Sequence, residues 1–204
     1  MSTLWLLRHA HPLIADGCCY GRLDVAADAA LTEHAAKNFS ALAHPWSAGA
    51  VLRHSPLQRC EQLVRTLIAL EPDLTHTACA DARLQEMDFG AWEGRPWEQI
   101  PRAEIDAWAT DLATYAPGGG ESLAAMLQRV KNALRHSWAA DSLQGQRDVV
   151  WVTHAGVIRC VQWLLQRSNQ LPTSAEWNLP APGMGQWLAL PWADLAAALG
   201  TTTD

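Results

Sequence analysis

The stretch DVVWVTHAGVIR, residues 148–159, decides the fold. Its apolar run, Val149 to Val152, ends in Thr153 and His154, and AGVIRCVQWLLQRS then begins with the spacing of a helix. A short continuous apolar run of this kind marks a strand buried on both faces, whose C-terminal end opens at a site. The N-terminus repeats the pattern, because TLWLLRH, residues 3–9, is again an apolar run closed by Arg8 and His9. AVLRHS at 50–55 and GQWLALP at 185–191 read as two more strands, and LTHTACA at 74–80 as a weaker one.

Helical segments lie between them. Thr32 is expected to cap a helix running to about Ala43, and Ser55 with Pro56 is expected to start SPLQRCEQLVRTLIAL as N-cap and N1, with Leu63, Leu67 and Leu70 on one side. Further helices are expected near 101–113, from Ser122 to about Ala139 after a PGGGE linker, over 155–168, and in ADLAAAL. Strands alternating with helices predict an α/β fold, a mainly parallel central sheet with helices on both faces, in a single domain over residues 1–204. Ligands of such sheets bind at the carboxyl ends of the strands, which gathers Arg8, His9, Ser55, Arg59 and His154 at one edge.

Composition narrows the function. The chain has 204 residues, 49% of them apolar and 18% charged, which suits an ordinary folded core. A net charge of −6 with no basic block argues against a nucleic-acid surface and makes a small molecule the better partner. The five cysteines are odd in number and form no C-x-x-C pair, so they read as reduced thiols rather than as disulfides or a zinc site. No window approaches eighteen apolar residues and LWLL is too short for a signal-peptide core, so the expected location is the cytoplasm, away from membranes.

A lone histidine is usually structural, and His34, His44, His76 and His136 are read that way. His9 and His154 differ, since each closes an apolar run beside an arginine or a helix start. A phosphoryl group in transfer carries charge on three oxygens and needs fixed cations or N–H donors around it. Arg8, Arg59 and the helix starts at Pro56 and Ala155 can supply them. An imidazole nitrogen can then attack phosphorus while a carboxylic acid, Glu86 or Asp88, protonates the departing oxygen.

LLRHA, SPLQRC, LQEMDFGAWEG, GGES and VTHAGVIR follow one another over residues 3–165, and in this order they resemble the histidine phosphatase (phosphoglycerate mutase-like) superfamily. The resemblance implies a phosphomonoester hydrolase that works through phosphohistidine, without a cofactor and without a metal. It implies that His9 is the nucleophile, that Glu86 is the proton donor, and that Arg8, Arg59 and His154 form the phosphate pocket, with His154 also among the catalytic groups. The irregular segment of about 83–120 is then a lid over the site. CCYGRLDV and GGES look most like the α-ribazole phosphatase branch, which serves cobalamin biosynthesis. A broad-specificity sugar or metabolite phosphatase, a mutase-like phosphotransferase and a non-catalytic phospholigand-binding domain are the alternatives. The absence of mutase insertions favours hydrolysis. A homodimer is compatible with the sequence, which fixes no oligomeric state.

Several positions depart from the family pattern. Ala10 and Ala155 stand where glycine is usual, His54 where serine is common, and Ala15 where an asparagine often helps to bind phosphate, which suggests Arg22 as a substitute. Trp92 and Trp97 are candidates to stack on a flat leaving group such as a benzimidazole, against the alternative that they pack the lid onto the core. His11 makes an H-x-H pair with His9 that also resembles metal-dependent amidohydrolases, but those barrels are longer and need further ligands, so His11 is read as a residue at the mouth of the site.

Overall fold

The fold is organised around the second of the two matching strands. A computed structural model describes residues 2–42, 49–144 and 147–199. In it the apolar run forms β4 (Val149–Thr153), all five of its residues buried, with β1 (Thr3–Arg8) and β2 (Val51–His54) paired parallel on its two sides. The two-residue β3 (Cys79–Ala80) lies parallel outside β2, and β5 (Trp187–Pro191) lies antiparallel outside β1, giving the order β3-β2-β4-β1-β5. The helices among the described residues are α1 (Ala29–Ser40), α2 (Gln58–Leu70), α3 (Arg102–Thr110), α4 (Leu123–Gln144), α5 (Ala155–Arg167) and α6 (Trp192–Leu199).

Alternation along the strands sends successive side chains to opposite faces. Val150 and Val152, with Leu7 and Leu52, pack against Phe39 of α1 and Leu63 and Leu67 of α2. Val149 and Trp151, with Leu4 and Leu6, pack against Val130 and Leu134 of α4, Val157 and Val161 of α5 and Leu195 of α6. Both faces of the sheet are thus covered, and burying each such side chain contributes about 1.5–3 kcal/mol before entropy. The five cysteines are free thiols. No helix among the described residues is long and apolar enough to cross a membrane.

Residues 83–120 form mainly short helical turns and α3, with a small core of their own in which Cys19, Trp92 and Ile100 are buried against Phe89, Ile105, Trp108 and Tyr115. PGGG, read in the sequence as a linker, packs backbone against backbone on the 88–92 turn. Gly90 and Gly118 both have positive φ, 52° and 60°, and a Cβ on Gly90 would stand 2.3 Å from the Gly118 carbonyl oxygen. Only glycine allows that approach.

The helix starts differ from expectation. α1 begins after Asp28, whose carboxylate accepts from Leu31 N, while Thr32 lies inside the helix and donates its hydroxyl to the Asp28 carbonyl. The predicted end near Ala43 lies outside the described residues. α2 begins at Gln58 rather than at Pro56; Ser55 Oγ accepts from His154 Nε2 at 2.8 Å and from Leu57 N at 3.3 Å, and the first N–H of the helix is met from elsewhere. Asp24 Oδ1 accepts from Gln58 N at 2.7 Å, and Asp24 Oδ2 from the Gln58 side chain at 3.1 Å. Of LTHTACA, the first three residues lie in a helical turn and only Cys79 and Ala80 pair as a strand, at the edge of the sheet. Asp24→Ala should lower stability by about 1 kcal/mol, the usual cost of a lost N-cap. Urea unfolding checks this, and an unchanged midpoint would show that the bond to Gln58 contributes nothing.

Candidate active site

Parallel strands β1 and β4 end side by side, Arg8 opposite Thr153, and this register brings His9 and His154 together with ring centroids 5.0 Å apart. The His9 backbone is fixed on both sides, its N–H donating to Thr153 O and its carbonyl accepting from Gly185 N. The ring is 2% exposed, and its Nδ1 lies 2.6 Å from the Ala10 carbonyl. A carbonyl only accepts, so the proton of the neutral ring sits on Nδ1 and the lone pair on Nε2. Neutrality is enforced by burial first, then by Arg59 and Arg8, which together push the His9 pKa from 6.5 down to about 3.

His154 takes the opposite tautomer. Its Nδ1 accepts from Arg59 Nε at 3.2 Å, so Nε2 carries the proton and donates to Ser55 Oγ at 2.8 Å. Burial, followed by the Arg59 and His9 interactions, holds its pKa well below 6.5. Arg59 is fully buried on α2, and its two terminal nitrogens donate to Leu23 O at 2.8 Å and Gly21 O at 2.6 Å. Three of its five N–H groups are thereby used, leaving one hydrogen on each terminal nitrogen.

A cavity of about 390 Å³ opens over His9 and is walled by Arg8, Tyr20, Gly21, Glu86, Phe89, Trp97, Trp108, Trp177, Ala155, Gly156 and Arg159 among others. Glu86 faces it with both oxygens oriented, Oε1 accepting from Met87 N at 3.0 Å and Oε2 from Gly156 N, in the first turn of α5, at 2.9 Å. A Cβ on Gly156 would come within 2.1 Å of Glu86 Oε1, so the absence of a side chain there is what admits the carboxylate. A second, more polar cavity of about 510 Å³ lies on the other side of Glu86 and does not reach His9. Of these two cavities, His9 lines only the first.

Arg8, His9 and Glu86 therefore stand on one cavity wall, with Arg59 and His154 buried directly behind it. His154 has both nitrogens bound to protein groups and holds the Arg59 guanidinium. Arg22 does not take the place expected of it. Its guanidinium pairs with Asp88 Oδ2 at 3.2 Å on the second cavity, because its own N–H is tied to Glu93 and turns the side chain outward. Asp88 is spent on this pair and on capping Gly90 N.

Trp92 is also misplaced by the stacking expectation. It is fully buried and donates its indole N–H to Glu104 at 2.7 Å, the packing alternative, whereas Trp97 and Trp108 face the cavity as a parallel pair, 7° apart in plane. Sequence reasoning missed Tyr20, Trp108, Trp177 and Arg159, whose separation along the chain gives no local signal. His11 lines a different cavity beside His34 and Asn38, and His54 Nδ1 faces the Ser55 carbonyl.

Residues 4–192 match the model of the histidine phosphatase superfamily (branch 1), and the chain belongs to this family. It is a phosphatase on that ground. It is 26% identical over 197 residues to the adenosylcobalamin/alpha-ribazole phosphatase of Salmonella typhimurium, covering 92% of this chain and 89% of the relative. It is 33% identical over 167 residues to a Caenorhabditis elegans 6-phosphofructo-2-kinase/fructose-2,6-bisphosphatase, of whose length only 33% is covered. Among solved structures, the mycobacterial glucosyl-3-phosphoglycerate phosphatase superposes with a TM-score of 0.73 at 26% identity, covering 94% of this chain and 90% of the other. The same enzyme in complex with inorganic phosphate gives 0.70 with the same coverage.

Neutral His9 and His154 make stability depend on pH with a definite sign. For His9, between about 6.5 and about 3 the unfolded chain binds a proton that the folded chain excludes, so stability is present above 6.5 and is lost as pH falls through this window, and His154, also lowered, acts with the same sign. His9→Gln should remove part of that slope, roughly 1 kcal/mol per pH unit. Urea midpoints measured from about pH 7 to about pH 4 test it. Parallel slopes for the two proteins would mean that His9 ionises as freely folded as unfolded.

Proposed function

We propose that this phosphatase acts through a phosphohistidine formed on His9, and that its substrate is a phosphomonoester whose leaving alcohol carries a flat aromatic base, α-ribazole 5′-phosphate in particular. The carrying observation is the pairing, on one cavity wall, of a buried neutral imidazole whose Nε2 lone pair is free with a carboxyl group held by two backbone N–H groups.

In the first step Nε2 of His9 attacks phosphorus and the ester P–O bond breaks, while Glu86, protonated on one oxygen, gives its proton to the departing oxygen. Positive charge growing on the ring is spread through Nδ1–H to the Ala10 carbonyl. Arg8, and the two open N–H groups of Arg59, hold the phosphoryl oxygens as charge moves onto them. In the second step Glu86, now ionised, takes a proton from water as the water attacks phosphorus. The P–N bond breaks, releasing phosphate and restoring neutral His9 and protonated Glu86.

The leaving group is read from the rest of the wall. Tyr20, Phe89, Trp97, Trp108 and Trp177 present aromatic surface, which suits a planar base better than a sugar rich in hydroxyls. The activity named for the Salmonella relative points the same way.

Brief reaction with ³²P-labelled substrate followed by acid-free denaturation should leave label on the wild-type protein in an acid-labile bond, and none on His9→Ala. Retained turnover in His9→Ala would end the covalent mechanism. Across a panel of phosphomonoesters, α-ribazole 5′-phosphate should exceed glycerol phosphate and sugar phosphates in kcat/KM by roughly tenfold or more, given about 1–3 kcal/mol per stacked base. Trp97→Ala should erase most of this preference without slowing glycerol phosphate. A sugar phosphate at the head of the panel would remove the aromatic base from the assignment.

A further inference from the structure

Glu86 lies in a segment without regular backbone pairing. We infer that Arg129, on α4, is the positioning residue that fixes the proton donor, an inference that rests on the reading of Glu86 given above.

All five N–H groups of Arg129 are used, and all on this task. Nε donates to Glu121 Oε1 at 2.7 Å and Nη2 to Glu121 Oε2 at 2.8 Å, so the carboxylate sets the guanidinium plane. Nη1 donates to Arg83 O and to Gln85 O, each at 2.7 Å, and Nη2 also reaches the carbonyl of Glu86 itself at 3.3 Å. The one carbonyl skipped, Leu84 O, accepts from Thr153 Oγ1 at 2.8 Å, one residue before His154. Four consecutive carbonyls, from Arg83 to Glu86, are thus held by two side chains, one rooted in α4 and one at the end of β4. The pair is well sheltered, with side-chain exposures of 19% for Arg129 and 18% for Glu121.

The chemistry requires arginine. A lysine carries at most three donors on a point and cannot meet two carboxylate oxygens and three diverging carbonyls from one place. With the fork lost, the 83–86 segment relaxes, and a carboxyl group misplaced by about 1 Å forfeits on the order of 10²-fold in proton transfer. Arg8, His9 and Arg59 lie on other elements and keep their positions. Arg129 therefore acts on protonation of the leaving group and leaves phosphate binding alone, a split that a merely structural residue does not produce.

The test compares glycerol phosphate, whose alkoxide needs the proton, with p-nitrophenyl phosphate, whose phenolate leaves without it. Arg129→Lys should lower kcat on glycerol phosphate by roughly 10- to 100-fold, change p-nitrophenyl phosphate by less than about threefold, and leave vanadate inhibition unchanged. Added to Glu86→Gln, it should cost nothing more on glycerol phosphate, since both changes remove one function. Equal losses on the two substrates, or an additive loss in the double variant, overturn the inference. Glu121→Gln, which keeps every N–H of the fork and weakens its anchor, should show the same split at smaller size and carries the test if Arg129→Lys fails to fold. Should Glu86→Gln itself slow both substrates alike, the assignment of the donor falls and the inference falls with it. A leaving-group split in Glu86→Gln with none in either variant of the Arg129–Glu121 pair sinks the role of Arg129 alone.

Discussion

The buried guanidinium of Arg59 is the constraint around which the site is assembled. It reaches from α2 to His154 at the start of α5 and to the carbonyls of Gly21 and Leu23 in the loop after β1. That loop in turn sends Asp24 back to the first N–H of α2, so helix and loop anchor each other. From the same loop the N–H groups of Arg22 and Leu23 bind the Glu93 carboxylate, which also accepts from Phe89 N. One side chain thereby couples the sheet edge, the first loop and the 83–120 segment. The geometry around His9 depends on all three.

Tryptophan use divides the 83–120 segment into two jobs. Trp92 faces inward and is locked by Glu104, while Trp97 and Trp108, each T-shaped to Phe89 at 5.7 Å, line the cavity. Trp92 belongs to the segment's own core alone, whereas Trp108 packs on that core and lines the cavity as well, tying the cavity's shape to the segment's packing.

Strands were legible because period and burial are properties of the local sequence, and β1 and β4 begin and end within a residue or two of their apolar runs. Helix starts were less so. Ser55 and Pro56 form a convincing N-terminus in isolation, but the Ser55 hydroxyl is shared between Leu57 N and a histidine 99 residues away, and an aspartate 34 residues away meets the first helical N–H. Thr32 lost to Asp28 for a nearer reason, since a carboxylate four residues earlier could accept from the same turn. At the site, the convergence of Arg8, His9 and Glu86 on one cavity, with His154 beside His9, was readable from motifs. The orientations of Arg22 and Trp92 were not, because each is set by a carboxylate far along the chain, Asp88 and Glu104. PGGG looked like a joint and is a packing surface, a distinction that depends on where its partner backbone lies.

A cation sealed inside a protein with two carbonyls, an imidazole and the Tyr20 ring around it is only partly compensated, and among the described residues no carboxylate pairs with Arg59. The folded state carries the desolvation cost of that charge. On the reading proposed above, an entering oxyanion supplies the countercharge, so binding and conformational stability become linked quantities. On that reading phosphate, the product of the hydrolysis, stabilises the fold of the enzyme that releases it.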